Sequence, residues 1–491
     1  MRKTQATLVM KIDFIKEPLL QFGNDLHICP RFGISNFSTY DSNEKLFETK
    51  PKEIRIGIIG TQQNFEKFDN WLGICSNFIE AKPSKQANLF TSFCGFNEVS
   101  GFHSKIVTNN LYQRQINDTE ITRLIKELSK FKNRQEVIKK VALIYLEHIE
   151  FLAENRTPQV IVCIIPDNLW SKILKVEKTE ELDQSEEGVE KVIEINFRSF
   201  LKAKSMKYRV PIQLIRENSL RTDETKGKGS LQDLATRAWN FCTAIYYKAG
   251  GIPWKAGSQL DDIHTCFVGI SFYRSLDKSK LETSLAQVFD EQGKGVILRG
   301  SPVQIDKNDR QPHLNEEQAY KLLLSSIKGY HLAEGTLPKR IVIHKSSKFT
   351  EQEKEGFIKA IEEKEISTFD FVTIYESKIR LFRTGNYPPL RGTCVELVEN
   401  QHLLYTKSSV EFYQTYAGMY IPEPIEIRIE ELNSSPLQIC NEVLSLTKMN
   451  WNKTQFDGKI PITIDCSRSV GAIMKYLEEG ETPNKRYGFY M

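Results

Sequence analysis

Residues 159–165 (QVIVCII) form an unbroken apolar run stopped by Pro166, the pattern of a parallel strand buried on both faces. Residues 54–60 (IRIGIIG) form a second such run, and Phe65, Phe68, Trp71 and Leu72 follow at helical spacing, which predicts strand then helix. Residues 120–153 carry a long helical pattern through Leu124, Leu128, Phe131, Val137, Val141 and Tyr145. Residues 210–215 predict another strand, and 231–248 a helix ending at Gly250, Gly251 and Pro253, residues that do not continue a helix. This alternation predicts an α/β fold.

A second unit begins after that punctuation. Residues 265–274, 294–299 and 340–344 predict strands, with a helix over 315–328 between the last two. More strands follow, then helices at 436–447 and 468–478. Hairpin-like strands followed by a helix and a further strand fit an RNase H-like sheet.

The length of 491 residues exceeds what one hydrophobic core holds and predicts two or three domains. No stretch nears the roughly 18 consecutive apolar residues of a membrane span, and the amino terminus lacks the apolar region of a secretion signal, so a cytoplasmic protein is expected. Nine cysteines are scattered, odd in number and never in a CxxC pair, which predicts buried reduced thiols rather than zinc ligands or disulfides. Net charge is +4, unevenly spread: residues 191–260 hold 13 Lys/Arg against 5 Asp/Glu, a local +8 that leaves −4 elsewhere. Basic segments of this kind either face phosphates or form solvated helix faces. Just before it, residues 176–190 carry 7 acidic side chains and 1 Lys, predicting a solvated surface insertion.

Several stretches, in order, resemble the prokaryotic Argonaute family. Residues 17–23 (EPLLQFG) and 30–33 (PRFG) are similar to the linker entering the MID domain, and 248–254 (KAGGIPW) to the junction between MID and PIWI. Residues 385–393 (GNYPPLRGT), 446–452 (LTKMNWN) and 460–463 (IPIT) are similar to PIWI segments. With no length left for N and PAZ domains, the chain resembles the short Argonautes. The resemblance implies a linker-like segment at 1–50, a Rossmann-like MID domain at 51–255 and an RNase H-like PIWI domain at 256–491. It further implies a small guide nucleic acid, a complementary target and a separate APAZ-containing effector protein with a TIR or sirtuin-like NADase, acting in defence against plasmids or phage. The guide and target it suggests are RNA and single-stranded DNA.

Arg198 and Lys202 stand four residues apart, on one helical face. Gln213 follows on the next predicted strand, and Lys248 ends the next helix. Converging, these groups would hold a terminal phosphate by charge-assisted hydrogen bonds, and the resemblance assigns them to a guide 5′-phosphate. The alternatives are an exposed helix face for Arg198 and Lys202 and a helix-end cation for Lys248. The chain end, YGFYM, is apolar enough to be buried near this pocket, where the Met491 carboxylate would hold Mg²⁺ against guide phosphates.

Slicing Argonautes cut by two-metal chemistry that needs several carboxylates. At the matching positions stand Ser271 after Gly269-Ile270, Ser346 after His344-Lys345, and Arg468. The glutamate position is not assignable, with Glu316 and Glu317 nearby. A hydroxyl cannot replace a carboxylate on a hard divalent ion, so no cleavage is expected. The competing expectation is a nuclease using displaced carboxylates such as Asp261, Asp262 or Asp465. A nucleotide-binding reading of Gly57-Ile58-Ile59-Gly60 lacks the glycine spacing of a dinucleotide site.

Overall fold

The computed structural model describes residues 10–85, 89–128, 134–173, 196–222, 231–257, 264–276, 280–288, 296–305, 311–385, 388–413, 416, 420–455, 458–478, 480–481 and 483–491. The acidic stretch at 176–190 and both Asp261 and Asp262 lie outside the described residues.

The first fifty residues thread through both halves of the chain. β1 (Ile12–Phe14) pairs antiparallel with residues 393–395, β2 (Leu20–Gln21) pairs with β3 (Leu26–His27), and α1 (Pro30–Phe37) follows. Between β1 and β2, the Glu17 carboxylate meets Arg391 Nε at 2.9 Å and Lys448 Nζ at 2.9 Å. Burial opposes ionisation there, yet the two cations hold its pKa below the ordinary value. Trp254 donates its indole N–H to the Lys448 carbonyl, and Trp451 to the Trp254 carbonyl. Four of the segments that carry the family resemblance thus meet in one buried junction.

The first half continues with β4 (Glu53–Gly60), α2 (Gln62–Cys75), β5 (Lys105–Val107), β6 (Gln113–Gln115), α3 (Asp118–Leu128), α4 (Arg134–Asn155), β7 (Val160–Ile165), α5 (Phe197–Ser205), β8 (Ile212–Arg216) and α6 (Leu234–Lys248). The strands run parallel in the order β5-β4-β7-β8, with β6 also on β4. Every residue of β7 is buried, as its continuous apolar run requires. The long helical pattern at 120–153 is two helices, α3 and α4, in the described residues.

β9 (Lys255–Ala256) returns to β2. Then follow β10 (Thr265–Arg274), β11 (Leu281–Val288), β12 (Val296–Ile305), β13 (Pro312–His313), α7 (Glu316–Glu334), β14 (Arg340–Lys345), α8 (Glu351–Glu363), β15 (Thr368–Glu376), β16 (Thr393–Val398), β17 (Gln401–Leu404), β18 (Ile425–Glu431), α9 (Pro436–Leu446) and α10 (Ile462–Met474). The large sheet has the order β1-β16-β17-β18-β15-β14-β10-β11-β12-β13, with β14 parallel to β10 and β15. Strand alternation splits its faces. Val268, Ile270, Ile341 and Ile343 pack with α7 and α8, whereas Phe267 and Val342 belong to the core that includes α10.

The last helix starts at Ile462, six residues before the predicted start at 468, so Arg468 lies in its second turn and is exposed. Its first turn sits directly on β10. A Cβ built on Gly269 would stand 2.2 Å from the Thr463 carbonyl oxygen, and His344 Nδ1 hydrogen-bonds Thr463 Oγ1 at 2.9 Å. Gly269→Ala should therefore force α10 off the sheet and lower unfolding free energy by about 1–3 kcal/mol, the usual cost of overpacking, as read from urea denaturation. No helix among the described residues is long and apolar enough to cross a membrane.

Candidate functional site

α5 starts at Asn196, whose side chain accepts the Ser199 N–H. Phe197 and Leu201 anchor it to the core. Its turn geometry directs Arg198 and Lys202 to a common side, and that side lines a cavity of about 730 Å³ together with Gln213, Lys248 and Met491. All five residues singled out around the phosphate pocket thus line one space. Lys202 is 7% exposed and Lys248 2%, whereas Arg198 is exposed, and Lys248 is the last residue of α6, its ammonium meeting β8. Lys204, two residues on, instead pairs with Glu478 at 2.7 Å and Glu481 at 3.1 Å.

The buried ammonium groups are satisfied by neutral oxygens. Lys202 donates to the Tyr490 carbonyl at 3.2 Å, and Lys248 donates to the Ile212 carbonyl at 3.1 Å and to Gln213 Oε1 at 2.6 Å. The Gln213 amide N–H₂ donates to the Leu214 carbonyl at 3.2 Å. Among the described residues the cavity wall carries six cationic side chains, Arg198, Lys202, Arg216, Arg237, Lys248 and Lys453, and no Asp or Glu side chain. Among the described residues no ion pair joins Arg198, Lys202 or Lys248 to a carboxylate. Burial, reinforced by Arg198, pushes Lys202 down to about 7. Burial, then Lys202 and Arg198, holds Lys248 well below its ordinary value, and burial lowers Arg198. Amines held below their ordinary pKa are a standing cost to the empty protein at neutral pH. Lys202→Met, which keeps the stem and removes the ammonium, should raise stability by about 1–4 kcal/mol in thermal or urea unfolding without ligand.

Three of the six cations escaped the sequence reading. Arg216 ends the strand that carries Gln213, and Arg237 lies eleven residues before Lys248 on the same helix, about three turns away. Those spacings were a usable signal; Lys453, on a loop, had none. Arg237 is fixed by the Ser219 and Arg221 carbonyls, both at 2.8 Å, and lies 5.4 Å from the Trp71 ring.

The second candidate centre lies on the α10 side of the large sheet. The β10–β14 ladder pairs Gly269 with His344 and Ile270 with Lys345; Ser271 continues β10, and Ser346 is the first residue past the end of β14. By alternation Ser271 shares the face of Gly269, against α10. Lys345 turns to the opposite face, where its Nζ meets Glu353 Oε2 at 2.6 Å. Asp465 accepts the Asn450 side-chain N–H at 2.7 Å. Glu316 and Glu317, in the first turn of α7, pair with Lys359 and Lys321. Among the described residues no group of three or more His, Cys, Asp or Glu could hold a metal ion.

Solved structures settle the fold. The structure of Clostridium butyricum Argonaute bound to a guide DNA and a 19-mer target DNA matches over 96% of this chain and 54% of that one, with a TM-score of 0.64 and 16% identity. The chain has the Argonaute fold. Drosophila Piwi matches at TM-score 0.58 and 14% identity over 97% of this chain and 56% of that one. Marinitoga piezophila Argonaute in complex with a 5′ OH guide RNA matches at 0.54 and 13% over 98% and 59%. The chain therefore spans little more than half the length of these Argonautes. No protein-family model and no curated protein matches the sequence. On this fold the first half is the Rossmann-like MID part and the second the RNase H-like PIWI part.

Met491 lines the cavity as expected, but the donors around it suit an anion. A hard divalent ion takes six or more oxygen ligands, carboxylates prominent among them, and among the described residues this wall offers the Met491 terminal carboxylate, cations and no acidic side chain. By themselves these residues do not make up the ligand set of a resident Mg²⁺; the expected ion would need guide phosphate oxygens beside the Met491 carboxylate.

Proposed function

We propose that the chain is a guide-binding Argonaute of the short kind, with 1–50 as an N-terminal linker-like segment, 51–255 as MID and 256–491 as PIWI. Its pocket takes the 5′-phosphate of a small guide RNA, and the guide pairs with a complementary single-stranded DNA target. The observation that carries this reading is the cavity whose wall, among the described residues, has six cations and no acidic side chain: a phosphate dianion supplies the opposite charge that these groups lack. Sequence recognition then resides in base pairing, with the protein holding backbone and guide end.

The PIWI part holds the target without cutting it, since Ser271, Ser346 and Arg468 stand where metal-binding carboxylates are needed. Occupancy is passed to an APAZ-containing partner with TIR or sirtuin-like NADase activity, through a duplex-bound conformation or a target-induced oligomer, in cytoplasmic defence against plasmids or phage. Binding of labelled RNA with and without a 5′-phosphate tests the pocket: the phosphorylated guide should bind at least tenfold tighter, and equal affinities would refute it.

A further inference from the structure

The guide-end cavity holds its charges in an unusual balance. Lys202 and Lys248 are buried beside Arg198, and their ammonium groups meet only carbonyl and amide oxygens. The groups facing them from the surrounding elements do not offset this charge. From β7 the Cys163 thiol, and from α6 the Tyr247 hydroxyl, are pushed above their ordinary pKa by burial and stay neutral. β8 adds Arg216, and the chain end adds Arg486, whose guanidinium donates to the Lys248 carbonyl at 3.4 Å. The terminal carboxylate of Met491 makes no ion pair with Arg198, Lys202 or Lys248. Repulsion among like charges in a desolvated space is relieved most simply by losing protons.

We propose that this pocket is a proton-coupled anion site, in which a terminal phosphate monoester dianion enters together with protons taken up by Lys202 and Lys248. The proposal rests on the guide-end reading above and adds how the site is tuned. Each neutral amine takes one proton from solvent and becomes an ammonium facing a phosphate oxygen, and no other bond changes. The sign follows from linkage: the empty pocket binds fewer protons than the filled one, so affinity falls as pH rises above the empty-state pKa of Lys202, about 7. Below about pH 6 the phosphate itself gains a proton, so binding should be tightest between these limits. The chain would release phosphorylated ends in alkaline conditions and retain them near neutrality.

Calorimetry tests this with the full chain and two RNA oligonucleotides differing only in a 5′-phosphate, at pH 7.5 in buffers of contrasting ionisation enthalpy. The phosphorylated RNA should bind with an excess uptake approaching about two protons over its 5′-hydroxyl twin, and its affinity should fall by more than about tenfold from pH 7.5 to 8.5. Lys202→Arg, which cannot lose its proton at these pH values, should lower that uptake and flatten the profile. Lys202→Met should lower the uptake while weakening binding, which covers the case in which arginine does not fit. Preferential binding of the phosphorylated RNA with no excess uptake, or uptake unchanged in both variants, overturns proton coupling and leaves the pocket assignment standing. Equal binding of both RNAs overturns the pocket assignment and this proposal together.

Discussion

Replacing both Lys202 and Lys248 with alanine should cut affinity for a 5′-phosphorylated guide by about 100-fold or more and change affinity for a 5′-hydroxyl guide by less than about threefold. Each lysine would contribute a charge-assisted hydrogen bond to the phosphate, about 1.5–3 kcal/mol apiece, and 1.4 kcal/mol is tenfold in affinity. The single variants should not sum to the double. Lys202 is among the groups that depress Lys248, so removing one raises the protonated fraction of the other and softens the loss. The variants should fold by the same electrostatics: each substitution removes a buried amine whose lowered pKa is a cost to the empty protein. Filter binding or fluorescence anisotropy measures the effect, with circular dichroism confirming the fold. An equal loss for both guides would remove the phosphate from this pocket.

The pocket was legible because its residues are locally encoded. Arg198 and Lys202 share a helical face at any site, and Lys248 directly precedes the Gly-Gly turn that ends its helix. Their burial was not legible, because it depends on the chain end folding back to offer the Tyr490 carbonyl to Lys202, 288 residues away in sequence. The same holds for the beginning of the chain. A three-residue strand at 12–14 carries no periodic signal, yet it pairs with residues 393–395. Its neighbour Glu17 reads as one charge in a motif, while in space it neutralises Arg391 and Lys448. The start of α10 was misplaced because Ile462, Thr463 and Ile464 are β-branched and resemble a strand. Tertiary packing against Gly269 and His344 decides otherwise. Strand and helix types in the sheet cores, set by continuous apolar runs, were correctly read from β4, β7, β10 and β14.

Purified alone, the chain should leave a guide-paired target intact in Mg²⁺ or Mn²⁺, while a complex with its partner should consume NAD only when guide and complementary target are both present. Two divalent ions facing a scissile phosphate require carboxylate ligands, and here β10 carries Ser271 while Ser346 follows the end of β14. Of the displaced carboxylates, Asp465 is engaged with Asn450. Target pairing then has to act by changing which conformation is populated, and it can do so only to the extent that the duplex binds one conformation better than another. The buried junction of Glu17, Arg391, Lys448 and Trp254 joins the two halves firmly, so a response is expected at the partner interface or in assembly rather than by separation of MID from PIWI. Mismatches near the guide's 5′ end should suppress NAD loss more than distal ones, since pairing begins where the pocket fixes the guide. NAD consumption without guide, or a cleaved target from the chain alone, would overturn this division of labour.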